Sequence, residues 1–282
     1  MSYRGRLAPS PNGFLHLGHA RSFYIAHERA GERGGNVVLR IEDLDRARCK
    51  PEYVEAIYDD FRWLGLNWDE EPIFQSQRHS AYLAAWRHLR DGGYIYPCQR
   101  SRKDLRMAAN APHADDDAEP IFPPEWRPAP GAGGDLLVPG GHNWRFRVPD
   151  GEAISFVDEL RGPQRFVAGR DFGDFLVWRR DDLAAYELAV VVDDIAQRIS
   201  EVVRGEDLLK STARQLLVYR ALGAVPPKWA HLKLVRDADG QRLAKRNGSL
   251  SLRALRDAGR DAADCLAIAN SATTFAGGGH EA

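Results

Sequence analysis

A chain of 282 residues, 44% hydrophobic and 28% charged, has the material for one large α/β domain or two unequal ones, which excludes a disordered or low-complexity protein. Its 39 basic and 40 acidic side chains give a formal charge of -1, so a nucleic-acid partner must be met by a local basic patch and not by a global field. Cys49, Cys98 and Cys265 lie far apart, no apolar run reaches the ~20 residues of a membrane span, and the N-terminus lacks a signal-peptide core. The expected setting is a reducing cytoplasm with no membrane partner.

Residues 6–19 run Arg6-Leu-Ala-Pro-Ser-Pro-Asn-Gly-Phe-Leu-His-Leu-Gly-His19. They read as the end of a short strand, a loop punctuated by Pro9, Pro11 and Gly13, and the first turn of a helix. That helix continues to about Arg33 and stops at Gly34-Gly35. A loop feeding a helix N-terminus gathers backbone N–H groups and the positive end of the helix dipole, which suits an anion. His16 and His19 add donors on the same face, and Gly18 leaves room for a flat ligand against the backbone. The outline is a nucleotide site; the bland alternative is a polar helix face or half of a metal site.

The β-branched run Asn36–Glu42 follows as a buried strand that delivers Glu42, Asp43 and Asp45 to its carboxyl end, where ligands sit in open α/β sheets. A helix opening at Pro51 carries Val54, Ile57, Tyr58, Phe61 and Leu64 at helical spacing and closes at Gly65. Another, around 80–91, puts Leu83, Trp86 and Leu89 on one side. The basic segment Arg100-Ser-Arg-Lys-Asp-Leu-Arg106 leads into a Pro/Gly-rich stretch, 108–141, expected to be irregular. Strand signals resume at Trp144, Ile154–Val157 and Gly173–Trp178. Tyr186–Asp194, YELAVVVDD, reads as a buried strand, and 201–207 as an extended piece with an Arg204-Gly205 corner. Ser211 or Thr212 is the expected cap of the next helix. His231–Val235 is a short strand, and 240–248 a glycine-bounded basic loop suited to a pyrophosphate. The Gly205…Lys210-Ser211 spacing lacks the glycine that a Walker loop needs before its lysine. The expected division is a Rossmann-like first half over 1–94, an inserted smaller strand-containing domain over 95–180, the second half over 181–270, and a tail over 271–282.

These segments together resemble the class I aminoacyl-tRNA synthetases, glutamyl branch. Arg6-Leu-Ala-Pro-Ser-Pro-Asn-Gly with His16-Leu-Gly-His19 is similar to that branch's HIGH signature, and Arg40-Ile-Glu-Asp-Leu-Asp45 to its second motif. Tyr186, Val191-Val-Asp-Asp194 and Val203-Arg-Gly-Glu206 resemble its amino-acid pocket, and Arg242-Leu-Ala-Lys-Arg246 its KMSKS loop. The resemblance implies an α/β fold with a Rossmann-like parallel sheet, an inserted α+β domain and, as no room follows the basic loop, no anticodon-binding domain. It implies a glutamate site at Arg6, Leu7, Ala8, Pro9, Ser10, Glu42, Tyr186 and Arg204. ATP falls to Pro9, His16, Gly18, His19, Arg242, Leu243, Lys245 and Arg246, with His16, His19 and Lys245 as the catalytic set. Mg²⁺ is implied by ATP, with no dedicated protein ligands.

The catalytic half alone is similar to the branch that glutamylates queuosine, at the wobble position in the anticodon loop of tRNA(Asp). That implies a monomer whose RNA phosphates meet residues such as Arg100, Arg102 and Lys103. Many relatives hold zinc in the inserted domain; here Cys98 stands alone, with Arg100, Phe122 and Trp126 at the other positions, so zinc is expected to be absent. The alternatives are a truncated enzyme charging the 3′ end of tRNA(Glu), or a non-enzymatic RNA-binding paralogue, whose mark would be decay of these motifs.

Overall fold

The computed structural model describes residues 2–101, 104–105, 120–235 and 251–271. Its first half runs β1 (Arg4–Leu7), α1 (Leu17–Glu32), β2 (Asn36–Ile41), α2 (Pro51–Trp63), β3 (Ile73–Phe74) and α3 (His79–Asp91). Then come β4 (Ile95–Cys98), β5 (Asn143–Phe146), β6 (Ala153–Asp158), β7 (Gly162–Val167) and β8 (Phe175–Trp178). The second half holds α4 (Tyr186–Ala196), β9 (Glu201–Gly205), α5 (Leu209–Ala221), β10 (Lys228–Leu232), α6 (Leu252–Asp257) and α7 (Ala262–Ser271).

β1, β2 and β3 pair in parallel, and β9, β10 and β6 form a second parallel set that β7 joins antiparallel. The sets meet where Ser200 N–H donates to the Arg4 carbonyl at 2.9 Å and Arg6 Nη1 to the Val203 carbonyl at 3.0 Å. The order across both is therefore β3-β2-β1-β9-β10-β6-β7. In such a sheet the crevice between the two halves, beyond the carboxyl strand ends, is where a ligand fits. Helix α1 covers β1 and β9, its apolar stripe Leu17, Ala20, Ala26 and Ala30 turned to the core; Gly34, at φ 57°, lets the chain reverse into β2.

β4, β5 and β8 make a separate antiparallel sheet beside α3, filled by Trp86, Trp144 and Trp178. Trp86 meets Trp144 edge to face, centroids 4.9 Å apart. This divides the region expected as a single insertion over 95–180. Residues 95–98, 143–146 and 175–178 form the small sheet, whereas β6 lies in parallel with β10 through Trp229 and Asp158.

Two local readings are corrected. Tyr186–Asp194 is helix, not strand: Leu188 to Val191, Asp193 and Asp194 are all buried, so the face-to-face contrast that marks a surface helix is missing. Helix α5 begins at Leu209 after the 3₁₀ turn Glu206–Leu208, so Ser211 and Thr212 lie inside it and cap nothing. Among the described residues no helix is long and apolar enough to cross a membrane, and the three cysteines are free thiols.

Cys98 packs with Tyr96, Leu105, Phe122 and Trp126, while the Arg100 guanidinium lies 4.6 Å over the Trp126 ring. Those positions form an apolar cluster with a cation–π lid, and one thiol does not supply a tetrahedral zinc set.

Candidate active site

The carboxyl ends of β2, β1, β9, β10 and β6 are neighbours, and each brings a polar side chain to the same edge. These are Arg40 with Glu42, Arg6, Arg204, His231 and Asp158. Arg40 is fully buried; its Nη1 donates to Asp194 at 2.7 Å and its Nη2 lies 3.2 Å from Glu42. Arg6, also buried, stands 3.7 Å from Asp194, and its Nε has no hydrogen-bond partner. Asp194 arrives from α4. Because that segment is a helix, consecutive aspartates point roughly 100° apart. Asp194 reaches Arg6 and Arg40, while Asp193 turns to Gln75, Arg78 and Tyr82 around the start of α3.

Burial pulls Arg6 below the ordinary guanidinium value, and Asp194 partly restores it. Burial pushes the Glu42 carboxyl up, against the pull of Arg40 and Arg6. Arg40 is desolvated too, but Asp194 and Glu42 outweigh that and raise it.

Arg204 has a different environment. Its Nε is 3.1 Å from His231 Nε2, and its Nη2 donates to Thr212 Oγ1 at 2.7 Å and to the Leu208 carbonyl at 3.3 Å. Nη1 is 3.4 Å from the Tyr186 hydroxyl, and the guanidinium lies 4.8 Å over Trp229. Every one of these partners is neutral. Tyr186 keeps 39% of its surface exposed, yet protein crowds its hydroxyl, and desolvation pushes the pKa up to about 12.

The local balance follows. Glu187 answers Arg214 at 3.7 Å and Asp193 answers Arg78. That leaves three guanidiniums, Arg6, Arg40 and Arg204, with Asp194 and Glu42 in contact with Arg6 and Arg40 and with Asp158 a third carboxylate set behind the His231 ring. Arg204 is therefore the guanidinium of the cleft that touches no carboxylate, and an anion gains most beside it in a largely dry site.

The loop after β1 is held from both sides: Glu42 N–H donates to the Pro9 carbonyl at 2.9 Å and Lys50 N–H to the Pro11 carbonyl at 3.2 Å. At its end His16 caps α1, its Nδ1 accepting from Gly18 N–H at 3.1 Å, while His19 Nδ1 accepts from His16 N–H at 3.3 Å. An imidazole that accepts at Nδ1 carries its proton on Nε2, so each of these stacked rings, 3.7 Å apart, presents an Nε2–H. The helix start differs from expectation here. The first amides are occupied by the cap, and a Cβ at Gly18 would meet His16 Cε1 at 3.1 Å, so the glycine makes room for the His16 ring.

Residues 242–246, with Arg242, Leu243, Lys245 and Arg246, lie outside the described residues, as do Arg102 and Lys103. Both flanks of 236–250 are described, and both meet α1. Arg21 Nη1 donates to the Lys233 carbonyl at 2.9 Å, and Ser251 bridges His16, with Leu252 N–H on the Leu15 carbonyl at 2.8 Å. Leu7 is buried in the core and Pro9 is buried, Ala8 is half-buried and Ser10 exposed. Asp158 and His231 had no role assigned from sequence, and Arg40 and Asp194 were quoted only within motifs. A charge inside an apolar strand run was the one visible signal, at Arg40.

A family model described as tRNA synthetases class I (E and Q), catalytic domain, matches residues 2–267. The chain belongs to this family. The synthetase is 46% identical over 278 residues to a glutamyl-Q tRNA(Asp) synthetase of Nitratidesulfovibrio vulgaris, covering 93% of this chain and 83% of the relative. It is 39% identical to a glutamate–tRNA ligase of a Synechococcus species, covering 89% of this chain and 53% of that ligase. Among solved structures it resembles a glutamate tRNA ligase from Elizabethkingia meningosepticum, crystallised with its amino acid, at 27% identity and a TM-score of 0.74. That match covers 88% of the synthetase and 53% of the ligase chain, so the synthetase spans about half the length of these ligases. Its fold is the catalytic α/β fold of the class.

Proposed function

We propose that the synthetase activates L-glutamate with ATP, without needing tRNA, and transfers the glutamyl group to queuosine at the wobble position of tRNA(Asp). Arg204, whose side-chain and backbone partners in the cleft are all neutral, carries the first part. Glutamate brings two carboxylates and one ammonium, and the cleft offers a guanidinium without a carboxylate partner for one of them. Arg6 and Arg204 present guanidinium forks for the carboxylates, and Glu42 answers the ammonium. Tyr186, neutral at working pH, and Ser10 add hydrogen bonds.

In activation an α-carboxylate oxygen attacks the α-phosphorus of ATP, and the bond to pyrophosphate breaks in line. This step needs positioning and charge stabilisation more than covalent help. The Nε2–H groups of His16 and His19 donate to phosphate oxygens, and Lys245 with Arg246 holds the departing pyrophosphate. Mg²⁺ neutralises phosphate charge when it is bound. The imidazoles and guanidiniums at the cleft do not suit a hard cation, and no group of three metal-binding side chains occurs among the described residues. In this reading the ion would arrive with the phosphates of ATP. Transfer then has a queuosine hydroxyl attack the activated carbonyl, releasing AMP; the cyclopentene diol offers the vicinal hydroxyls that a terminal ribose would.

Support for this acceptor comes from relatives named glutamyl-Q tRNA(Asp) synthetase at 46%, 45% and 43% identity, each matched over four-fifths or more of its own length. The second reading, charging of the 3′ end of tRNA(Glu), rests on the ligases at 39–40% identity. Labelled glutamate, ATP and tRNA(Asp) lacking its 3′ terminal adenosine separate the two. Charging is expected with queuosine present and not without it; dependence on an intact 3′ end would transfer the case to the second reading.

A further inference from the structure

Behind Arg204 lies a pair of buried groups that the proposed chemistry does not use. His231 and Asp158 are both almost fully buried, His231 Nδ1 stands 2.6 Å from Asp158 Oδ2, and His231 is the direct cross-strand neighbour of Arg204. A guanidinium has donors only, so His231 Nε2, at 3.1 Å from Arg204 Nε, has to offer a lone pair. The ring proton then sits on Nδ1 and is donated to Asp158. The carboxylate is itself fixed, because Oδ1 accepts from the backbone N–H groups of Leu160, Arg161 and His231 at 3.0, 2.9 and 3.1 Å. The chain of orientation runs from the β6–β7 turn through Asp158 and the imidazole to one edge of the Arg204 fork.

We infer that Asp158 and His231 are positioning residues that aim Arg204 at a substrate carboxylate while leaving its charge unspent. This rests on the proposed glutamate site. A carboxylate directly against Arg204 would hold it equally well but would neutralise it and compete with the substrate anion. A neutral imidazole passes on the orientation and keeps the negative charge one ring farther away. Burial, together with the charge of Arg204, holds the His231 pKa down to about 4, so the ring is neutral where the enzyme works. With Nε and Nη2 engaged, the edge carrying Nη1, beside Tyr186, remains for the ligand. That edge donates and cannot accept, so it favours a carboxylate oxygen over the NH₂ of a carboxamide. The pair thereby sharpens selection of glutamate over glutamine.

Asp158→Asn tests the pair without emptying the site. Its Oδ1 keeps the three backbone N–H groups, so its NH₂ faces His231 Nδ1. The proton moves to Nε2, where it opposes the Arg204 Nε–H and turns to Thr212 Oγ1, 3.1 Å away, so the Arg204 fork loses its acceptor. A wrong tautomer in an intact pocket is costly for function, so the glutamate KM in ATP–pyrophosphate exchange is expected to rise about thirtyfold, with the ATP KM within about twofold. His231→Leu does the same by deleting the acceptor. His231→Gln, whose side-chain oxygen reaches the Nε2 position, brings the glutamate KM back to within about fivefold of the parent enzyme. Long-range ¹H–¹⁵N spectra are expected to show His231 protonated at Nδ1 in the parent and at Nε2 in Asp158→Asn. An Nε2–H tautomer in the parent overturns the inference. So does an unchanged glutamate KM in folded Asp158→Asn, or a parallel rise of both KM values with a fallen Tm. Absence of glutamate-dependent exchange in the parent enzyme would instead remove the proposed glutamate site, and the spectra would still report on the pair.

Discussion

In the cleft at the end of the parallel sheet, Arg204 is surrounded by an imidazole, a hydroxyl, a carbonyl and a phenol. Beside the small antiparallel sheet, Arg127 is closed between Asp174 and Asp150. Its Nε and Nη2 each lie 2.7 Å from an Asp174 oxygen, and Asp174 also takes Tyr96 Oη and the Val148 amide. Both guanidiniums are largely out of water. One has spent its charge on the protein, and the other has kept it. Burial by itself therefore says little about function; what separates a staple from a binding group is whether the partners are charged.

The comparison breaks most visibly if the two residues are removed in turn. Arg127→Ala leaves the wholly buried Asp174 side chain unpaired and is expected to cost about 3–5 kcal/mol of stability in denaturant unfolding, with the glutamate KM of the folded fraction unmoved. Arg204→Ala leaves no buried carboxylate behind. It is expected to raise the glutamate KM about a hundredfold or abolish activation, at a smaller loss of stability. If Arg204→Ala unfolds the enzyme and Arg127→Ala impairs glutamate binding, the distinction is wrong.

A pH titration sharpens the same contrast. His231 is held neutral, its folded pKa of about 4 lying below the ordinary 6.5, so the unfolded chain binds more protons in between. Its contribution is present above about pH 6.5 and lost as pH falls toward 4. Between pH 7 and 4.5 the parent enzyme is expected to lose roughly 2–3 kcal/mol more than His231→Gln, measured by denaturant unfolding at each pH.

Asp60 offers a smaller third case, a buried carboxylate on α2 with no hydrogen bond and Arg256 at 3.5 Å as its ion-pair partner. Burial pushes it up to about 6, so above that pH it is ionised at a cost, which is relieved as pH falls toward 3.8. Asp60→Asn is expected to stabilise by about 1 kcal/mol at pH 8 and by less at pH 4.5. Thermal melts at the two values check the sign.

Much of this was legible in the chain. Pro9, Pro11, Gly13 and Gly34 punctuate β1, its loop and α1, and Arg6, Glu42 and Arg204 stand together as the motifs implied. Helix α4 was not legible, because YELAVVVDD is apolar and β-branched, and a helix buried on most sides loses its 3.6-residue contrast. The Asp158–His231 pair was hidden for another reason. The two residues are 73 positions apart and meet only because β6 and β10 become neighbours, a fact of topology and not of local pattern. Thr212 reads as a cap by residue type, whereas inside α5 its hydroxyl serves Arg204.

The anchoring of Lys233 and Ser251 to α1 has a kinetic consequence. One anchor is Arg21 on the Lys233 carbonyl and the other is the bridge of Ser251 to His16, and two fixed points confine what lies between them to a smaller volume than a tail held at one end. If Lys245 acts on the pyrophosphate as proposed, Lys245→Ala lowers kcat in ATP–pyrophosphate exchange. Tethering at both ends makes catalysis sensitive to losing either anchor, Arg21 or the His16–Ser251 bridge.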